Sequence, residues 1–242
     1  MKSTTFKLLL IAAGATLLGA ASPAILTTPP RPDADMKRDA DRKPLEMIDF
    51  AKVTEGQTVV DFIPGGGYFT RLFSAAVGPK GRVIAYVPKA FADHFPAAVT
   101  ALNALAAEPA HANITVTSQA NAPFAAPNSA DLVWTSQNYH DLHNAPGNLA
   151  KTVNVAAFAA LKPGGFYVVV DHAAEAGSGL RDTNTLHRID PAVVKSEVTG
   201  AGFVLDGEST ALVNPADTHT LKVFDPALRG HTDQFVYRFR KP

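Results

Sequence analysis

VVDFIPGGGYFT, residues 59–70, is the stretch on which the reading of the fold turns. Val59, Val60 and Phe62 favour a pleated, buried segment, and the run reads as a strand ending near Asp61. Three consecutive glycines follow. YFTRLFSAAVG then carries apolar residues at helical spacing until Gly78–Pro79 stops it. A glycine-rich turn between strand and helix lets a ligand approach the backbone closely, and the helix start offers N–H groups without partners. Asp61, Gly65, Gly66 and Gly67 are therefore candidate ligand-binding residues. A tight strand-to-helix turn without a ligand accounts for the same glycines, and Asp61 reads equally as a structural acceptor.

Working outward, strands and helices alternate. Residues 36–53 suit one or two short helices, with Pro44 in a first turn. GRVIAYVP is a second strand, and residues 89–107 form a helix that Pro96 must start or kink. NITVTS and ADLVWTS are further strands, residues 146–161 a helix, and LKPGGFYVVVD a turn leading into a strongly apolar strand. DPAVVKSEVTGAGF is a helix capped by Asp190 with Pro191 in its first turn. FVLDGEST and QFVYRFR follow as strands with no helix between them. This order predicts one α/β domain over residues 36–242: a doubly wound, mostly parallel sheet with an antiparallel C-terminal strand.

The beginning of the chain reads differently. Lys2 and Lys7, an apolar run from Leu8 to Leu18 and small residues at Gly19 and Ala21 have the layout of a secretory signal peptide over residues 1–21. The Pro-rich, polar segment 22–35 reads as a flexible leader. A periplasmic or secreted location follows as an expectation, with no membrane attachment after cleavage. Cysteine is absent, which excludes disulfides and thiolate metal sites. Lys plus Arg and Asp plus Glu both number 22, and no basic block is present, so nothing recruits nucleic acid.

These segments together resemble the class I S-adenosylmethionine-dependent methyltransferases, and among them a bacterial branch that carries signal peptides. VVDFIPGGGYFT is similar to the family's first motif, GRVIAYVP stands at its second strand, NAPFAAPNSADLVW leads into its fourth, and LKPGGFYVVVDH is its turn and fifth strand. The resemblance covers roughly residues 42–240. It implies a Rossmann-like methyltransferase fold, S-adenosylmethionine as cofactor, and a small-molecule acceptor. Carried over residue by residue, Asp61, Gly65, Gly66, Gly67 and Asn121 face the cofactor. Two positions depart from the pattern. Ile63, followed by Pro64, stands where the first glycine is expected, and Val87–Pro88 replace the acidic residue that the family usually presents to the ribose hydroxyls. Losing that acceptor weakens cofactor binding by about 2–4 kcal/mol.

Polar residues gather beyond the fourth and fifth strands. SQNYHDLHN supplies His140, Asp141 and His143, DHAAEAGSG supplies Asp171 and His172, and RDTNTLHRID supplies His187. In this topology those strand ends neighbour the glycine loop. One reading makes His140, His172 or His187 a general base oriented by Asp141 or Asp171, since imidazole titrates near neutrality. The other makes the group a site for a divalent metal. Asp171–His172 falls where a related metal-dependent, catechol-type branch places a ligand pair. The spacing matches no strong zinc pattern, so no single residue is assigned as a ligand. The missing ribose acceptor also fits another function, an exported binding or metal-associated protein that keeps the fold without transfer chemistry.

Overall fold

The computed structural model describes residues 21–118, 123–145, 147 and 149–242. Asn121 and almost all of the expected signal peptide lie outside the described residues. Seven strands form one sheet: β1 (Thr58–Phe62), β2 (Arg82–Tyr86), β3 (Ile114–Thr117), β4 (Ala130–Ser136), β5 (Leu161–His172), β6 (Val204–Ser209) and β7 (Gln234–Arg240). Their spatial order is β3-β2-β1-β4-β5-β7-β6. The first five run parallel, and β7 enters antiparallel between β5 and β6. The helices are α1 (Asp33–Met36), α2 (Asp39–Arg42), α3 (Pro44–Phe50), α4 (Tyr68–Val77), α5 (Lys89–His94), α6 (Pro96–Ala106), α7 (Leu149–Ala160) and α8 (Pro191–Gly200). Pro96 starts α6 and divides the long expected helix in two. Asp190 caps α8 by accepting from Ala192 N–H at 2.9 Å.

Strand order reverses between β1 and β4, and an open α/β sheet leaves its crevice beyond the carboxyl ends at such a point. The walls of the crevice are set by core packing. Leu72, Phe73 and Val77 put the apolar stripe of α4 onto the sheet, fully buried. Phe69 and Phe73 pack on the Trp134 ring of β4 at 4.6 and 5.5 Å. Each such side chain contributes about 1.5–3 kcal/mol by leaving water.

The leader does not behave as a free linker. Ile25 and Arg31 are buried. Arg31 donates to Leu26 O at 3.0 Å and pairs with Asp39, and its guanidinium lies 5.7 Å from the Tyr68 ring. Asp35 in turn pairs with Arg71 of α4 at 3.1 Å. Pro-rich composition gave the flexible reading. Complementary charges on α2 and α4 override it by giving the segment specific partners.

The segment between β6 and β7 takes part in a buried ion pair. Arg188, fully buried, donates to Ala173 O and Leu221 O and meets Asp217 at 2.8 Å. This bond set ties the loop carrying His187 to residues 217–223.

Candidate functional site

The glycine loop divides its labour. A Cβ at Gly67 would lie 3.2 Å from Leu105 and 3.3 Å from Leu102, and its φ is +85°. Gly67 therefore lets α4 start close against α6, and that role is internal to the fold. Gly65 and Gly66 have nothing within 4 Å of a built Cβ, and both line a cavity of about 380 Å³. Their face is the one open to a ligand. Ile63, in place of a glycine, nonetheless adopts φ +54°. That conformation is costly for a β-branched residue. It is held by Ile63 N–H donating to Tyr86 O at 2.9 Å and by Asn138 Nδ2 donating to Ile63 O at 3.1 Å. The turn is thus clamped from Tyr86 of β2 and from Asn138, just beyond β4.

Asp61 is buried and accepts from the Thr70 hydroxyl at 2.7 Å. It turns toward α4 and is not among the residues lining the cavity. Burial pushes its pKa up to about 7, against the opposing pull of Thr70 and Arg42. Val87, where the resemblance expects an acidic residue, does line the cavity and brings an apolar side chain to it.

Arg42 of α2 was not foreseen. Its guanidinium lies 4.6 Å from the Tyr68 ring and 4.7 Å from Phe69, and it donates to Ser136 Oγ at 3.1 Å. No carboxylate is hydrogen-bonded to it among the described residues. Burial first, and Arg38 second, lower its pKa to about 10. Arg42 borders both the 380 Å³ cavity and a second one of about 540 Å³. A partly desolvated arginine that borders a cleft, with Asp61 and Asp35 near but no carboxylate hydrogen-bonded to it, is a candidate anchor for an anionic group.

A third cavity, of about 510 Å³, holds the histidines. Gln137, with φ +63° at the end of β4, borders all three, so they lie side by side along the carboxyl ends of the strands. His140 is buried beside Asp171, which is fully enclosed. The Asp171 carboxylate accepts from His140 N–H at 2.7 Å, from His140 Nδ1 at 2.9 Å and from His172 N–H at 2.8 Å. Burial works against the charged form of each partner. Their mutual attraction outweighs it, holding His140 above and Asp171 below the ordinary values. His140 Nε2 then faces His187 Nδ1 at 3.3 Å and Asp141 Oδ1 at 3.4 Å. His187 sits at φ +56°, its ring 4.9 Å from that of Phe224.

Two histidines go elsewhere. His172 lines the cleft, but its Nδ1 meets Thr232 Oγ1 at 2.7 Å, and burial drives its pKa down to about 4. Being neutral, it is a wall and a hydrogen-bonding group. His143, expected on the same rim, turns to Glu197 of α8 at 3.1 Å, where Tyr139 also donates at 2.9 Å. With both Asp171 oxygens committed to N–H donors, the sequence reading of Asp171–His172 as a ligand pair has no support in the geometry. The residues brought together are His140, Asp141, Asp171 and His187.

No protein-family model matches the chain, and no curated protein matches it. Solved structures do. A S-adenosylmethionine-dependent methyltransferase from Aquifex aeolicus aligns with 86% of this chain and 97% of its own at TM-score 0.56 and 18% identity. The YcgJ protein of Bacillus subtilis aligns over 83% and 98% at TM-score 0.57 and 17% identity. The (4+2)-cyclase SpnF aligns over 84% and 80% at TM-score 0.61 and 16% identity. At these identities the likeness concerns architecture, and a cyclase among the neighbours underlines that sites, not folds, carry chemistry. The chain has the Rossmann-like α/β fold of the class I methyltransferases, completed by antiparallel strands at the end of its sheet.

Proposed function

We propose that the chain is an exported S-adenosylmethionine-dependent methyltransferase acting on a small acceptor. The observation that carries this reading is that the open glycine face and His140 line adjacent cavities, with Gln137 and Asp141 bordering both. The residues present fit the cofactor in part. Gly65 and Gly66 leave room for it, and Arg42 offers a partner for its carboxylate. Val87 withholds the usual ribose acceptor, so the expected affinity is modest. When bound, the cofactor supplies an electrophilic methyl group on a sulfonium.

The protein's own task is to hold the acceptor and manage its proton. Phe95 and Phe224 are large apolar side chains at 62% and 57% exposure, both bordering the histidine cavity. Exposed aromatics around a polar cluster suit an acceptor with an apolar body and one hydroxyl or amine. In the metal-free protein Asp171 fixes the His140 tautomer, leaving Nε2 to take the acceptor's proton as its oxygen or nitrogen attacks. Export rests on the N-terminal pattern and the resemblance to a signal-peptide-bearing branch.

Calorimetric titration with S-adenosylmethionine and S-adenosylhomocysteine tests the reading. Micromolar binding, weakened by Gly66→Ala, is the expected result. Absence of binding up to millimolar concentration overturns it, and leaves the fold alone.

A further inference from the structure

We infer that His140, Asp141 and His187 form a binding site for a divalent first-row transition metal ion, with zinc the best match. Three donor atoms converge: His140 Nε2 and His187 Nδ1 are 3.3 Å apart, His140 Nε2 and Asp141 Oδ1 3.4 Å, and His187 Nδ1 and Asp141 Oδ1 3.7 Å. Ligands about 2.1 Å from a tetrahedral ion lie about 3.4 Å from one another. The observed separations therefore match a tetrahedral ion with three protein ligands and a fourth position left over. All three residues line the 510 Å³ cavity, so that fourth position opens toward it.

A second observation makes this more than a polar cluster. Asp171 accepts from His140 Nδ1 at 2.9 Å, and its carboxylate is wholly enclosed. That bond makes Nε2 the lone-pair nitrogen and aims it at the convergence point, as in carboxylate–histidine–metal arrangements. In the neutral ring that lone pair faces the Asp141 carboxylate, an acceptor meeting an acceptor, which either a proton on Nε2 or a cation at the centre relieves. A cation at the centre satisfies all three at once. Two imidazoles and one carboxylate, without thiolate, select zinc, iron(II) or manganese(II) over softer ions.

The inference stands apart from methyl transfer. With an ion seated, Nε2 would be a ligand and no longer a base, and the ion would supply Lewis-acid polarisation to a group bound at the fourth position.

The test uses tag-free protein produced from the full chain, stripped with a chelator, then titrated with Zn²⁺ by calorimetry and Co²⁺ by visible absorption. One equivalent is expected to bind at micromolar or tighter affinity, with Co²⁺ giving the intense visible bands of a four-coordinate ion. His187→Ala and Asp141→Asn, whose side chains are 30% and 32% exposed, spare the core and lower affinity tenfold or more. Asp171→Asn, the positioning residue, lowers it about 10–100-fold. His231→Ala, at an exposed side chain paired with Asp41, leaves binding unchanged. No saturable binding up to millimolar metal in folded protein overturns the inference, as does affinity unaffected by His187→Ala. S-adenosylhomocysteine titration of the same metal-free sample reports on the methyltransferase reading independently.

Discussion

Replacing Asp171 with Asn keeps the side chain's shape and removes one acceptor and the charge. The carboxylate accepts from His140 N–H at 2.7 Å and His172 N–H at 2.8 Å on different oxygens. In the variant an amide NH₂ must face one of those donors, which orphans a buried N–H at a cost of about 1–3 kcal/mol. His140 also loses its charged partner, and breaking a buried pair from one side costs about 3–5 kcal/mol in all. The pH dependence carries the sharper signature. The raised His140 pKa contributes stability that is full below its unfolded value of about 6.5 and is lost as pH rises through the folded value. The lowered Asp171 pKa contributes stability present above about 3.9 and lost as pH falls through its folded value. Urea unfolding of chelator-treated protein from about pH 5 to about pH 9 should show the wild type weakening along the alkaline limb and Asp171→Asn lower and flatter there. A variant within about 1 kcal/mol of wild type, with the same pH profile, would refute the coupling of these two residues.

Other expectations are narrower. Asp61, raised to about 7 by burial, holds a proton in the folded state that the unfolded chain has lost, so stability falls as pH rises from about 4 to about 7. Asp61→Asn should flatten that decline in the same urea experiment. Gly67→Ala should cost about 1–3 kcal/mol in thermal unfolding, because a Cβ meets Leu102 and Leu105 at a positive φ. Gly66→Ala should leave stability within about 0.5 kcal/mol and weaken S-adenosylhomocysteine binding tenfold or more, since its Cβ enters the open cleft. Val87→Asp should strengthen that binding about tenfold by supplying the missing acceptor; unchanged affinity would mean that the ribose does not lie there.

The sheet was legible because strand and helix periodicities alternate, and because two final strands without an intervening helix force an antiparallel entry. The nearness of His140 to Asp171 was legible too, since both follow adjacent parallel strands. What those residues do was not. Whether Asp171 turns to His140 or stands beside His172 as a ligand is decided by donors from two backbone positions, which no local pattern encodes. Arg42 lay in a stretch read only as short helices. Its place in the cleft comes from stacking on Tyr68 and Phe69, a long-range contact. His143 was misplaced for the same reason: Glu197, on a distant helix, claims it. The leader was read from average composition, while Ile25 and Arg31 pack through individual partners.

The position of β7 has a consequence for how the molecule is made. It is the last strand in the sequence, yet it lies between β5 and β6 and pairs with both. Until residues 234–240 have been synthesised, β5 presents an open edge of unpaired N–H and C=O groups, and β6 has no neighbour in the sheet. The sheet therefore cannot be finished in the order in which the chain appears. Five parallel strands can assemble early, but the closing step waits for the final segment to slide between two strands made before it. A nascent chain paused before Gln234 is a species with a ready template for pairing to other chains.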